Sequence, residues 1–484
     1  MHRVQSSLTR RRFLWGAGAM SAAAALPNVL FANTGGAARL VVVVLRGALD
    51  GLAAVPPHGD RDYANLHREL AIAPPGAADG ALALDGTFGL HPSLSFLQDR
   101  YRAEELVVFQ AVASPYRDRS HFDGQNVLEN GLTQPIGTAD GWLNRALASL
   151  PQRHARQSER AVSISQNVPL ILRGDALVLS KSPVATPDVD KDLLARLADL
   201  YSKDDWFSAR LSEAVQGETL ADDSHRMTAP PEMADVNATQ PGKFAAADRV
   251  GSAARLAALL MRSDGGPEVA VFDATGWDTH ANQGGSKGAL AQRLASLDNA
   301  LRMLADGLGP LWPQTAVLVV TEFGRTAAVN GTRGTDHGTG GCAFLAGGAV
   351  HGGRVIADWP GLGRNALLDN RDLRPTVDLR SVFKAVLGDH MRIDAGTLAT
   401  RVFPNSNGAR PLQGLTRLTR PQDCQTTASA SRYRLGSSAP RSAHVRPTGA
   451  APLPAVSATV PRSWVSQPSS WPPFLRLSQA WETP

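Results

Sequence analysis

Cysteine is nearly absent from this chain: Cys342 and Cys424 are the only two in 484 residues. Two thiols make neither a disulfide framework nor a zinc motif, so the fold must rest on a buried core. Both are expected free, because a bridge would tie the body of the chain to a segment with no apolar pattern. Long apolar runs are also missing. No segment approaches the roughly 18–20 uninterrupted apolar residues of a membrane-spanning helix, so no permanent span is expected. A basic patch in the body of the chain is the third absence. The formal charge of +5 belongs to the ends. Residues 1–32 hold four Arg and no acid, and residues 411–484 hold eight Arg against Asp423 and Glu482, which leaves the rest at −5. A mildly acidic body argues against nucleic acid as a partner. No internal repeat is visible.

What is present begins at the N-terminus. Thr9-Arg10-Arg11-Arg12-Phe13-Leu14 sets paired arginines before an apolar pair. A short stretch rich in Ala and Gly follows over 15–26, Pro27 breaks it, and Ala32 is a small residue fit for cleavage. This is the layout of a twin-arginine signal peptide over 1–32. It predicts the twin-arginine translocase as a partner and a periplasmic or otherwise exported location. A basic amphipathic helix is the alternative, but no apolar face recurs at helical spacing.

Beyond it, apolar β-branched runs alternate with helical patterns. Residues 39–45 read as a buried strand, as do 106–112, 161–164, 269–272, 316–320 and 342–345. Leu290, Leu294, Leu297, Leu301, Leu304 and Leu308 step by three and four along one helix face. Val377, Phe383, Val386 and Leu387 suggest a shorter closing helix. Alternating strands and helices predict an α/β fold, a central mostly parallel sheet with helices on both faces, over 33–410. Residues 187–215 read as helical. Asp188, Asp190 and Asp192 there suit either a metal loop or a helix start, where negative charge is favourable. Residues 216–244 read as a loop, and 165–245 as a cap over the sheet edge. From 411 to 484 Ser, Thr, Pro, Ala and Arg dominate without period, which predicts a disordered tail.

In an open α/β sheet, ligands sit beyond the carboxyl ends of the strands. Asp50-Gly51 follows the first strand, and Arg119-Ser120-His121 follows the second. Gly276-Trp277-Asp278-Thr279-His280, Thr321-Glu322-Phe323-Gly324-Arg325 and Asp336-His337-Gly338 follow later ones. These carboxylates and imidazoles suit zinc, manganese, magnesium or calcium. Each also has a plain structural role open to it. Asp50 can stabilise a turn, Asp278 and His280 can be an Asx turn and a surface imidazole, Glu322 can pair with Arg325, and Asp336-His337-Gly338 can be a turn. Ser120 stands at a helix start with Asp123 three residues on, a capping-box spacing. It reads as an N-cap or as a nucleophile, and the two are compatible.

Taken in order, these pieces with Leu45-Arg46-Gly47-Ala48-Leu49-Asp50-Gly51-Leu52 and Arg119-Ser120-His121-Phe122 resemble the bacterial family domain of unknown function 1501, over about residues 39–405. That family looks like a branch of the alkaline phosphatase and sulfatase superfamily. The resemblance implies an alkaline phosphatase-like fold and a divalent metal ion. It implies Asp50, Asp278, His280, Glu322 and His337 as metal-site residues and Ser120 as nucleophile; Asp336 joins the metal set from its place in the Asp336-His337-Gly338 loop. Arg119 or Arg325 would clamp an anion. The sequence departs from the superfamily at Phe323, where a metal-binding His is usual, and at Ala113, where a sulfatase would place its nucleophile. Within the family pattern, Ala48 and Leu49 replace what is more often Gly and Asn. The expectation is an exported metal-dependent hydrolase of phosphate or sulfate esters, acting on a small-molecule or polymer ester. Its rivals are a non-catalytic envelope protein that binds metal or a polymer, and a structural partner that works through the tail.

Overall fold

The computed structural model describes residues 38–151, 159–183 and 249–417. The chain divides into two units, Met1–Asp423 and Cys424–Pro484, and every described residue belongs to the first. The signal segment 1–32, the helix read over 187–215, the loop 216–244, Cys424 and residues 418–484 of the tail lie outside them.

The strands are β1 (Arg39–Arg46), β2 (Leu82–Ala83), β3 (Gly89–Leu90), β4 (Leu106–Ala113), β5 (Ala161–Ile164), β6 (Val178–Lys181), β7 (Val269–Thr275), β8 (Thr315–Thr321), β9 (Gly341–Ala346), β10 (Arg354–Ile356) and β11 (Val377–Asp378). The helices are α1 (Gly51–Ala54), α2 (Tyr63–His67), α3 (Ser95–Arg102), α4 (His121–Asn130), α5 (Trp142–Ser149), α6 (Arg249–Arg262), α7 (Ala289–Leu308), α8 (Leu379–Ala385) and α9 (Ala395–Thr397). Nine strands form one sheet in the order β10-β4-β9-β8-β1-β7-β5-β6, with β11 also on β4. β1 pairs in parallel with β7 and β8, placing Val42 between Val271 and Leu318. β9 alone runs against its neighbours β4 and β8.

The strand residues alternate between two cores, as the period of two requires. Val41, Val43 and Leu45 join Leu97 of α3, Met261 of α6 and the leucines of α7 on one face. Leu40, Val42 and Val44 join Leu128 of α4, Trp142 of α5 and Phe383 of α8 on the other. With both faces covered, β1 is apolar at every interior position. Each leucine that α7 buries contributes about 1.5–3 kcal/mol relative to exposure. Among the described residues no helix is long and apolar enough to cross a membrane.

Three departures from the sequence reading follow from short elements. Val377 lies in β11, ahead of the closing helix. Residues 178–181, read as part of a cap, form β6 and extend the main sheet through β5. Residues 411–417, read as tail, are packed: Leu415 is fully buried and Thr416 bridges Val350. β6 and β10 are too short and too half-buried for their periodicity to show, and β11 has only two residues.

Candidate metal centre

Because β4 and β8 both oppose β9, they run parallel to each other and to β1 and β7. The carboxyl ends of β1, β4, β7 and β8 therefore meet at one edge, where β9 begins. A bulge at Ala111, with φ 57, redirects β4 just before that edge. The segments after β4, β7 and β8 and before β9 deliver His121, Asp278, Glu322 and His337 to it. Gly47, at φ 120, turns the chain out of β1, and a Cβ there would stand 2.7 Å from the backbone nitrogen of Asp278.

His121, Asp278 and His337 bring one ligand atom each to within 4.8 Å of one another. His280 joins them: its Nε2 lies 3.0 Å from Asp278 Oδ1 and 3.0 Å from His337 Nε2. His337 Nε2 is 3.2 Å from Asp278 Oδ1, and His121 Nε2 is 3.5 Å from Asp278 Oδ2. The side chains are 26–43% exposed, so solvent reaches the cluster.

The other nitrogen of each ring decides what these atoms are. His337 Nδ1 lies 2.9 Å from the carbonyl of Arg119, which can only accept. His280 Nδ1 meets Asp336 Oδ1 at 3.1 Å, and His121 Nδ1 meets Glu322 Oε1 at 2.9 Å. Asn330 helps hold the Asp336 carboxyl below its ordinary range. For Glu322 burial works the other way, but hydrogen bonds from His121, Gln125 and the Gly47 N–H prevail and lower it. Both acids are therefore acceptors, and all three imidazoles carry their proton on Nδ1 when neutral. Three bare Nε2 atoms then converge on one carboxylate. Lone pairs of His280 and His337 only 3.0 Å apart repel unless a proton or a cation lies between them. His121 Nε2 is buried and makes no hydrogen bond. This donor set, with each imidazole oriented from behind, fits a divalent transition metal.

Charge around the cluster is set by neighbours. Burial raises the Asp278 carboxyl, yet the hydrogen bond and charge of Arg325, with His280 and His337, leave it below its usual range. The hydrogen bond to Glu322 lifts the His121 imidazole, whereas burial pushes that of His337 down. Glu322 is itself held in place. Its Oε1 accepts from Gly47 N at 2.9 Å and Gln125 Nε2 at 3.2 Å, and its Oε2 accepts from Thr321 at 2.8 Å. Arg46 donates to Gln125 Oε1 at 2.9 Å and so sets which way that amide faces.

The structure thus separates the residues picked from sequence. Asp278, His280 and His337 come together, with Asp336 behind His280. Glu322 does not face the cluster as a ligand; its oxygens are spent on orienting His121. Asp50 lies elsewhere, 1% exposed, capping α1 through Leu52 N and Ala53 N. Its second oxygen accepts from Gln283 Nε2 at 2.8 Å and lies 3.5 Å from His67 Nε2. Arg325 pairs with Asp278 at 2.8 Å rather than with Glu322, and its side chain is fully buried. Arg119 is bound to the buried Asp372 at 2.8 Å and contributes its carbonyl to His337. Ser120 occupies the N-cap position of α4, but its hydroxyl makes no capping bond, so the capping box does not form. Phe323 stacks on His121 at 5.1 Å between ring centroids and walls that side of the cluster. Cys342 is free and buried. His121 stands in the Arg119-Ser120-His121 motif but carries no assigned role in the sequence reading, and no motif singles out Gln125 or Asn330.

A family model described as "Protein of unknown function (DUF1501)" matches residues 37–403. No curated protein matches the sequence. Solved structures are similar at low identity, among them the following three. Ps i-CgsB in complex with k-i-k-neocarrahexaose shares 9% identity, covers 78% of this chain and 77% of its own, and gives a TM-score of 0.36. The C-terminal periplasmic domain of EcEptC from Escherichia coli, a zinc complex, shares 10%, covers 65% and 73%, and gives 0.31. The phosphonate monoester hydrolase of Agrobacterium radiobacter shares 10%, covers 66% and 70%, and gives 0.31.

Proposed function

The chain belongs to the DUF1501 family, and from that premise we propose that it is an exported metal-dependent hydrolase of phosphate or sulfate esters. The observation that carries the proposal is the convergence of three imidazole Nε2 atoms and the Asp278 carboxylate at a solvent-reached sheet edge. The motifs described above, which resemble the alkaline phosphatase and sulfatase superfamily, supply the substrate class.

His121, Asp278, His280 and His337 would hold the ion. Three nitrogens and one carboxylate favour zinc or manganese over magnesium and calcium, which prefer all-oxygen sites. A single centre is proposed, because Asp50 and Glu322 are committed to other partners. A divalent ion there supplies Lewis-acid polarisation of an ester oxygen. The chain's own residues do the rest. Glu322, Asp336 and the Arg119 carbonyl hold the imidazoles in register, and Arg325 keeps Asp278 ionised. Ser120, whose hydroxyl makes no capping bond at the start of α4, or a water acts as nucleophile. Residues 1–32 would direct export through the twin-arginine translocase, and substituting Arg10 and Arg11 by Lys should retain the precursor inside the cell.

The test is elemental analysis of the purified exported protein, followed by assay on aryl phosphate and aryl sulfate esters. About one equivalent of zinc or manganese and metal-dependent cleavage, lost in Asp278→Ala, are expected. Metal-free protein, or cleavage indifferent to Asp278→Ala, would refute the proposal. A second reading, a non-catalytic metal-binding protein, draws on Phe323 standing against His121. It predicts full metal content with no turnover across a broad ester panel.

A further inference from the structure

Three guanidiniums surround the centre, and they differ in what they have left to offer. Arg325 also leaves Nε and Nη2 without a hydrogen bond, but its side chain is fully buried against Asp278, where an arriving anion does not reach. Arg119 spends Nε and Nη2 on Asp372 and Asp369. Arg371 was not singled out by any sequence motif. It engages only Nη1, which donates to the His337 carbonyl at 2.8 Å and to Asp372 Oδ1 at 2.7 Å, and its side chain is 41% exposed. No hydrogen bond engages its Nε or Nη2 among the described residues.

Its position is built rather than incidental. Leu368 and Asp372 pair across a tight turn, with Leu368 N on Asp372 O at 2.9 Å and Arg371 N on Leu368 O at 3.0 Å. Asp369 and Asn370 both take φ 54, the left-handed conformation that Asp and Asn tolerate best. The turn therefore delivers Arg371 to the backbone of a cluster histidine. Its positive charge also reaches Asp336, on the loop that carries His337.

We infer that Arg371 is the anion-recognition residue of this centre, meeting the negative charge of a tetrahedral oxyanion, phosphate or sulfate, as it arrives. The inference rests on the proposed ester substrate for its substrate class, but it concerns binding and stands or falls without turnover. A guanidinium with an open edge suits two oxygens of one such anion, which an ammonium cannot match. Removing it leaves Asp372 Oδ2 held by Arg119 at 2.8 Å and Thr339 at 2.7 Å, and Gln or Lys at position 371 keeps a donor for Oδ1.

The experiment is calorimetric titration of the zinc-loaded exported protein with inorganic phosphate and, separately, with sulfate. The stronger of the two ligands identifies the preferred oxyanion. Arg371→Gln should weaken its binding at least about tenfold and Arg371→Lys by a smaller factor, with zinc content and melting temperature unchanged. If Arg371→Gln fails to fold, Arg371→Lys and the salt dependence of wild-type binding carry the test. Equal affinity in wild type and both variants overturns the inference, as does a wild type that binds neither anion. Arg371-dependent binding without cleavage of any ester would uphold the inference while removing the hydrolase proposal. Cleavage with Arg371-independent binding would do the reverse.

Discussion

Two acid–histidine groups lie near the same sheet edge, and they behave as opposites. In one, Asp278 faces His121, His280 and His337, with side chains 26–43% exposed. In the other, Asp50 faces His67, and neither side chain is more than 1% exposed. His67 also turns its Nδ1 to a carbonyl, that of Ala327, at 3.0 Å. The difference lies in the carboxylate and its surroundings. Asp50 is spent on two backbone N–H groups and on Gln283, and Gln283 in turn accepts from Thr279 at 2.7 Å and Thr335 at 2.9 Å. That network is buried. Around Asp278 the partners stand behind the imidazoles and leave their Nε2 atoms facing that carboxylate. Residue type therefore does not separate an acid of the open cluster from a structural acid; the placement of the second partner does.

The comparison can be broken most directly by deletion. His337→Ala should lower zinc affinity by about 1,000-fold or more, because a donor is lost from an otherwise open set. Asp50→Ala should leave zinc stoichiometry unchanged. Elemental analysis of the two proteins side by side decides it, and equal metal loss in both would merge the two groups into one site. In the same variant, Asp50→Ala should cost about 3 kcal/mol in denaturant unfolding, since it removes the cap of α1 and strands the Gln283 amide in the interior.

A smaller effect tests the orientation of His121. Gln125→Leu removes one donor from Glu322, and zinc affinity should fall about tenfold, the lower end of what outer partners contribute. Competition with a chromophoric chelator measures it, and Gln125→Glu should not restore it, since a second carboxylate would face Glu322.

The same contrast has a pH dependence. Burial disfavours the Asp50 carboxylate, but His67 and the hydrogen bonds from Gln283 and Ala53 outweigh it and lower its pKa from 3.8 to about 2. A carboxyl depressed in the folded state adds stability above its unfolded value and loses it as pH falls. The contribution should be complete above about pH 5 and fade between about pH 4 and 2, amounting to about 2 kcal/mol. Urea unfolding of wild type and Asp50→Asn across that range should converge at the acid end. Curves that stay parallel would show that Asp50 is not the titrating group.

Much of this was legible in the sequence, and for a physical reason. β1, β4, β7, β8 and β9 are buried on both faces or nearly so, and such strands must be continuous apolar runs. α7 lays six leucines on one face, which fixes its period. Strand ends are where an α/β sheet gathers polar groups, so Asp278, His280 and His337 could be picked without coordinates. The edges of the fold were harder. β6, β10 and the packed segment 411–417 are short and half-covered, and composition alone made the last look like tail.

The sequence by itself determined the α/β layering and the edge at which chemistry collects, because burial pattern and chain order are local and periodic. It could not decide which acid faces which imidazole. Asp50 and Asp278 both stand just past strands, and Glu322 and Asp336 both neighbour the site. Only the tertiary structure assigns two of them to the backs of histidines, one to a buried cap and one to the centre. That choice depends on contacts between segments some 200 or more residues apart, such as Gly47 with Glu322 and Arg119 with His337. No periodicity along the chain records them.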